Sequence, residues 1–307
     1  MFPTPLRGYV MGDTRMVKRD TLQTRAIIGG VAALVVAGIV WEVAIVSTPS
    51  VSSGSPALPT VSGMTLDAGS LVAGEQLTLT GRNLGDVTEV SFADVPATEL
   101  EVVDDRTIVA TVPAVANFQP ATVDVAVYVG STRVQAAAPL TYSYSPQTAI
   151  DAQMQYLLTH WNNYNTAQFG DLNSIGGDCM NFVSQSLLAR GWAMTSEWYS
   201  ADAGADWGDA WGHVPSFDEW LRGHPEYGAS TLGFDQRDQV KIGDLVVFDW
   251  DNDGSLDHIQ VVSAIAVDDG VTSIAMVGHN TDSDYRDLDL TLTVDHPGAS
   301  GYFWSIP

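Results

Sequence analysis

The distribution of apolar and polar positions divides this chain into segments of different texture. Residues 26–46, AIIGGVAALVVAGIVWEVAIV, are apolar except for Glu42 near the far end. About twenty such residues is the length that crosses a bilayer as a helix. From 60 to 144 the pattern becomes short alternating runs such as EQLTLTG, EVSFADV, TIVATVP and TVDVAVYVG, broken by Gly, Asn, Asp and Pro. Period-two alternation with frequent turn signals predicts a small all-β sandwich. From 146 onward the period changes. AIDAQMQYLLTHWNNYN carries Ile150, Met154, Leu157, Leu158 and Trp161 at helical spacing, and a second helix is predicted to begin near Cys179. Strands are then expected at DLVVFDW, HIQVVSAIAV and TSIAMVGHN. Helices followed by antiparallel strands predict an α+β domain over 146–307.

The flanking composition orients this plan. Residues 1–25 hold Arg7, Arg15, Lys18, Arg19 and Arg25, five of the thirteen basic residues, leaving eight for the rest of the chain. Basic residues before an apolar span predict a cytoplasmic N-terminus and C-terminal domains outside the cell. The apolar run is longer than a signal-peptide core and no A-x-A site follows it. A single-pass transmembrane anchor in the cell membrane is therefore expected, with secretion after signal cleavage as the alternative. Residues 47–59, rich in Ser and Pro, read as an extended linker. With 13 Lys+Arg against 37 Asp+Glu, the formal net charge is −24. No basic stripe exists to displace phosphate counterions, which sets nucleic acid aside as a partner.

The single cysteine rules out an intramolecular disulfide and leaves Cys179 as either a buried apolar residue or a retained nucleophile. Its surroundings, GGDCMNFVSQSLLARGW, favour the second reading. Gly176 and Gly177 allow a tight turn, Asp178 is placed as an N-cap, and Phe182, Val183, Leu187 and Leu188 form an apolar helical face. Cys179 would then sit in the first turn, where unpaired N–H groups and the helix dipole favour a thiolate. Asn181 and Ser184 are read as bracing the helix start.

A cysteine nucleophile needs a base. His160 lies on a helix, His296 in an isolated turn, and His213 and His224 in an irregular Trp- and Gly-rich stretch where a loop role is expected. His258 opens the apolar run HIQVVSAIAV and is the expected base. The turn Asp268-Asp269-Gly270 predicts a hairpin that returns 279–282 beside His258. The third, orienting residue is read as His279, with Asn280 and Asp282 as alternatives.

The stretch DWDNDGSLDH sets Asp249, Asp251, Asp253 and Asp257 at positions 1, 3, 5 and 9 of a calcium-type loop, with Gly254 at position 6. Position 12 is Gln260 rather than Glu, and strands flank the loop, so an EF-hand is rejected. A solvated acidic turn or a partial calcium site remain as readings. Cys-His chemistry itself requires no cofactor.

Two resemblances rest on these motifs. The order PTVSGMTLDAGSLVAGEQLTLTGRNLGDVTEVSFADVPAT, DRTIVATVPA, VDVAVYVG and LTYSY resembles an IPT/TIG domain, which is immunoglobulin-like and implies a spacer or binding module. GGDCMNFVSQSLLARG, GDLVVFDWDNDGSLDHIQVVS and GHNTDSDYRDLDL resemble the family named Putative amidase domain, related in fold to papain-like CHAP and NlpC-type cell-wall hydrolases. The aromatic stretch EWYSADAGADWGDAW suits the same pattern. This resemblance implies a cysteine amidase or peptidase with Cys179 as nucleophile and His258 as base. It implies a peptide or amide substrate, with peptidoglycan as one such substrate. The oxyanion would be held by the Cys179 N–H and a further donor. Asn173 stands where papain-type enzymes place an oxyanion-hole Gln, and is not assigned that role. A surface binding or structural protein without catalysis is the competing class.

Overall fold

The computed structural model describes residues 57–268 and 270–307. The apolar segment 26–46 expected as an anchor lies outside the described residues, as does most of the linker. Among the described residues no helix is long and apolar enough to cross a membrane.

The alternating segment forms two facing antiparallel-rich sheets. One has the strand order Gln135–Ala136, Thr60–Met64, Gln76–Arg82, Thr107–Thr111, Glu99–Asp104. The other runs Ala68–Gly69, Thr141–Tyr144, Ala121–Val129, Glu89–Phe92, Val95–Pro96. Alternation explains the core. In Gln76–Arg82, Leu77 and Leu79 are buried while their neighbours are not, and Ile108 and Ala110 do the same opposite them. Tyr142 and Tyr144 close the sandwich edge to face, and the Tyr144 hydroxyl donates to the Pro113 carbonyl at 3.0 Å.

Asp151 ties the sandwich to the C-terminal domain. Helix Ala149–His160 opens with a capping box in which Thr148 Oγ1 accepts the Asp151 N–H and Asp151 Oδ2 accepts the Thr148 N–H. The other oxygen of Asp151 accepts the Val72 N–H of the sandwich at 2.8 Å. Asp151 is fully buried, so its carboxylate sets both the helix start and the docking of the β-domain.

The C-terminal domain is built on a six-stranded sheet with the order Ser230–Leu232, Ser300–Ser305, Leu245–Asp249, His258–Asp268, Val271–Gly278, Ser283–Asp287, all neighbours antiparallel. Helix Cys179–Ala189 packs on one face, where Phe182, Val183 and Leu187 meet Leu245, Val247, Ile259, Val261 and Val277. The opposite face carries Val246, Phe248, Val262 and Met276, with Leu288 of the short helix Leu288–Leu290 packed in the same cluster. Mixed helix and sheet content thus agrees with the expected α+β character. The first helix stops at His160, short of the NNYN that comes after it in sequence. Tyr164 within that stretch instead stacks on the His279 ring, away from the helical path.

Candidate active site

The helix bearing Cys179 starts at a sharp turn. Gly176 and Gly177 take φ values of +138° and +129°, a region that side chains with a Cβ rarely enter. The expected Asp178 N-cap is not formed: its carboxylate accepts none of the backbone N–H groups of the helix start. The cap comes from elsewhere in the chain. Asn280 Oδ1 accepts the backbone N–H groups of Asp178 and Cys179, at 2.6 and 2.8 Å. Asn280 itself sits at φ +65°, and its Nδ2 donates to Asn173 Oδ1.

Asp178 is buried and points the other way. Oδ1 accepts from the Leu172 N–H at 2.9 Å and from Asn181 Nδ2 at 2.8 Å, and Oδ2 lies 2.6 Å from His279 Nδ1. The second nitrogen of His279 lies 3.0 Å from the His160 carbonyl oxygen. A carbonyl only accepts, so Nε2 carries a hydrogen, and one further proton lies between Nδ1 and the carboxylate. Rings of Tyr164 and Phe182 sandwich the imidazole at 3.6 and 3.7 Å. Asn181 and Ser184 tie the helix to neighbouring aromatic residues. Asn181 Oδ1 accepts from Trp211 Nε1 at 2.7 Å, and Ser184 Oγ bridges the Trp211 carbonyl and Trp198 Nε1.

Cys179 is largely buried but reaches a cavity of about 500 Å³. Trp207, Asp209, His213, Pro215 and Asp257 line the cavity with it. Burial pushes the thiol up to about 11. The N–H groups of Ile259, Met180 and Cys179 pull against that rise, and Asp178 adds to it. Sγ therefore sits against the backbone of Ile259, the residue after His258. At neutral pH the resting group is a thiol, so the pull of the helix N-terminus toward a thiolate does not prevail. Desolvation outweighs the dipole here.

His258 begins its strand on the face opposite Ile259, as alternation requires. Its ring lies 5.5 Å from Trp250 and 6.2 Å from Phe248. It is 5% exposed, and Nε2 is enclosed with no hydrogen-bond partner. Burial lowers its pKa to about 3, with Arg286 and His296 acting in the same direction. His258 is thus a neutral imidazole.

The hairpin does return 279–282 to the site, but against the helix start instead of the His258 ring. None of the three residues considered for orienting the imidazole does so. His279 is bound to Asp178 and His160, Asn280 caps the helix, and Asp282 Oδ1 accepts from the Tyr164 hydroxyl at 2.7 Å. The reason is parity: Val277 faces the helix, so His279 does too. The Cys179 N–H, expected in the oxyanion hole, is taken by Asn280.

His213, read from sequence as a loop residue, lines the cavity with Cys179; its Nδ1 is 2.8 Å from Ser216 Oγ. Only its place in a Trp- and Gly-rich stretch signalled anything, and that signal carried no direction. In the acidic loop, carboxylate oxygens of Asp249, Asp251 and Asp257 come within 4.8 Å of one another. Asp253 stands outside this group, its Oδ1 accepting the Ser255 N–H at 2.8 Å.

The chain belongs to the family described as Putative amidase domain, which matches residues 143–304, more than half of its length. Residues 59–144 match the IPT/TIG domain. No curated protein matches the chain. Among solved structures, the TIG domain of human nuclear factor of activated T-cells, cytoplasmic 4 is 29% identical over 31% of this chain and 94% of its own, with a TM-score of 0.26. SGBP-B from a complex xyloglucan utilization locus in Bacteroides uniformis is 19% identical over 28% of this chain and 23% of its own, with a TM-score of 0.23. Bacteroides ovatus mixed-linkage glucan utilization locus SGBP-B is 11% identical over 81% of this chain and 52% of its own, with a TM-score of 0.25. This chain therefore spans less than two thirds of either SGBP-B. The amidase family points to a hydrolase with an amide substrate.

Proposed function

We propose that this protein hydrolyses amide bonds through Cys179, in a papain-like Cys-His mechanism with His258 as proton acceptor. The observation that carries the reading is the placement of Cys179. The thiol stands at a helix start, opens on a cavity, and lies against the peptide that comes after an enclosed, unpartnered imidazole. A neutral thiol and a neutral imidazole are the protonation states from which general-base activation begins. The burial that holds the imidazole pKa at about 3 must be relieved for it to take the thiol proton. The proton leaves Sγ for the imidazole as Sγ attacks the amide carbon. The imidazolium then protonates the leaving amine. Water, deprotonated by the same imidazole, releases the acid and restores the thiol. The His258 ring lies on the sheet face opposite Ile259 and the Cys179 helix, so engagement requires the start of its strand to rearrange and bring the ring to Sγ. An oxyanion site requires Asn280 to release the Cys179 N–H.

The apolar span 26–46, with basic residues ahead of it, supports a membrane-tethered enzyme acting outside the cell. Resemblance to cell-wall hydrolases supports peptidoglycan peptides as substrate. Incubating full-length protein with purified peptidoglycan and with small amides, and identifying new amines by mass, tests this. New amines from peptidoglycan are expected from wild type and not from His258→Ala. Equal release by that variant would remove His258 from the mechanism. Loss on His213→Ala but not His258→Ala would move the base to the cavity wall.

A non-catalytic surface-binding role is the second reading. Two observations favour it: Asn280 occupies the Cys179 N–H, and none of the residues considered for the role orients the His258 ring. Binding of wall material without release of any amine would select that reading.

A further inference from the structure

We propose that the loop from Asp249 to Asp257 binds a calcium ion, with Asp249, Asp251 and Asp257 as carboxylate ligands. The three offer oxygens within 4.8 Å of one another. Three acidic residues in a surface loop would mean little alone. Asp249 is the exception among them: it is 7% exposed, and its Oδ1 is enclosed with no hydrogen-bond partner. A carboxylate oxygen removed from water and given no donor is costly. A cation supplies the missing partner. Among the described residues no Lys or Arg supplies it, since every ion pair formed there lies elsewhere.

The rest of the loop holds these carboxylates in place. Asp249 Oδ2 accepts the Gly254 N–H at 3.0 Å, Asp257 Oδ2 accepts the Trp250 N–H at 2.7 Å, and Asp251 Oδ1 accepts the Asp253 N–H at 3.2 Å. Asn252 and Gly254 take φ values of +59° and +92°, which folds the chain back between the two strands.

The donor set selects the ion. Oxygen-only ligands favour hard cations over zinc or copper. Calcium accepts irregular, flexible oxygen cages, whereas magnesium demands a near-ideal octahedron and keeps several of its waters. A loop that offers three carboxylates suits the larger ion. The flanking strands and three carboxylates give an open site of the weak extracellular kind, with affinity of about 10⁻⁴ to 10⁻³ M. Asp257 also lines the Cys179 cavity, so the ion fixes one wall of it. Binding itself is independent of the hydrolase reading.

Trp250, between two of the ligands, makes the test direct. Terbium added to full-length protein should emit when tryptophan is excited, and calcium should quench that emission at about 10⁻⁴ to 10⁻³ M, with magnesium at least tenfold weaker. Asp251→Asn, at an exposed position, should weaken terbium and calcium binding tenfold or more while leaving the melting temperature in chelator unchanged. Asp249→Asn should do the same, and if it does not fold, Asp251→Asn decides. Absence of sensitised emission overturns the proposal. So does emission identical in Asp251→Asn, or emission that calcium does not displace at about 10 mM, well above the expected range.

Discussion

Asn280 Oδ1 accepts the backbone N–H of Cys179 at 2.8 Å, across 101 residues of chain. A side chain from the end of one strand thus closes the helix on which the proposed nucleophile sits. It also accepts the Asp178 N–H, so two of the orphan donors of that helix depend on one residue.

Asn280→Ala should therefore lower stability by about 1 to 2 kcal/mol, the usual cost of removing a cap. Asn280→Asp, which keeps an acceptor oxygen, should recover most of it. Thermal or urea denaturation of the three proteins measures this. An unchanged midpoint in Asn280→Ala would show that the cap is replaced by water.

The buried Asp178–His279 contact at 2.6 Å makes a larger demand. Asp178→Ala removes the acceptor of three donors and leaves His279 without its partner inside the core. Breaking such a pair from one side costs about 3 to 5 kcal/mol. That loss should appear as a much lower denaturation midpoint, or as failure to fold. Asp178→Asn keeps an acceptor oxygen and should lose less. If Asp178→Ala unfolds like wild type, the pair is not the anchor described.

Much of the architecture was legible because it arises from local pattern. Alternation at Leu77, Leu79, Ile108 and Ala110 marked the sandwich, and Phe182, Val183 and Leu187 marked the buried face of the Cys179 helix. The hairpin placed 279–282 at the site for the same reason. What could not be read was parity at its end, because a shift of one position exchanges the faces of His279 and Asn280. The cap failed for a related reason. Asp178 has the chemistry of an N-cap, but a histidine far along the chain drew its carboxylate away, and an asparagine beside that histidine took its place. His213 was missed because cavity walls are built from residues that only tertiary structure brings together. The helix position favours a thiolate, but burial, which the local pattern around Cys179 does not display, outweighs it.

The thiol near 11 and the imidazole near 3 give a pH signature. Alkylation of Cys179 by iodoacetamide should accelerate about tenfold per pH unit from neutrality toward pH 11. A plateau between pH 5 and 8 would instead reveal a preformed thiolate–imidazolium pair.

Stability should carry the matching acid limb. His258 has a folded pKa of about 3 against an ordinary 6.5. Between those values the unfolded chain binds a proton that the folded chain does not. This contribution is present in full above pH 6.5 and is lost as pH falls through the window toward 3, at about 1.4 kcal/mol per pH unit. His258→Gln should flatten that slope in denaturation experiments from pH 7 to 4. An equally steep decline in the variant would assign it to other groups.

The most direct test of Cys179 as the nucleophile compares amine release by wild type and Cys179→Ala on the same amide substrate. Loss of at least about a thousandfold in rate, with an unchanged denaturation midpoint, is predicted for a residue that forms the covalent intermediate. Turnover by Cys179→Ala at a rate comparable to wild type would contradict it.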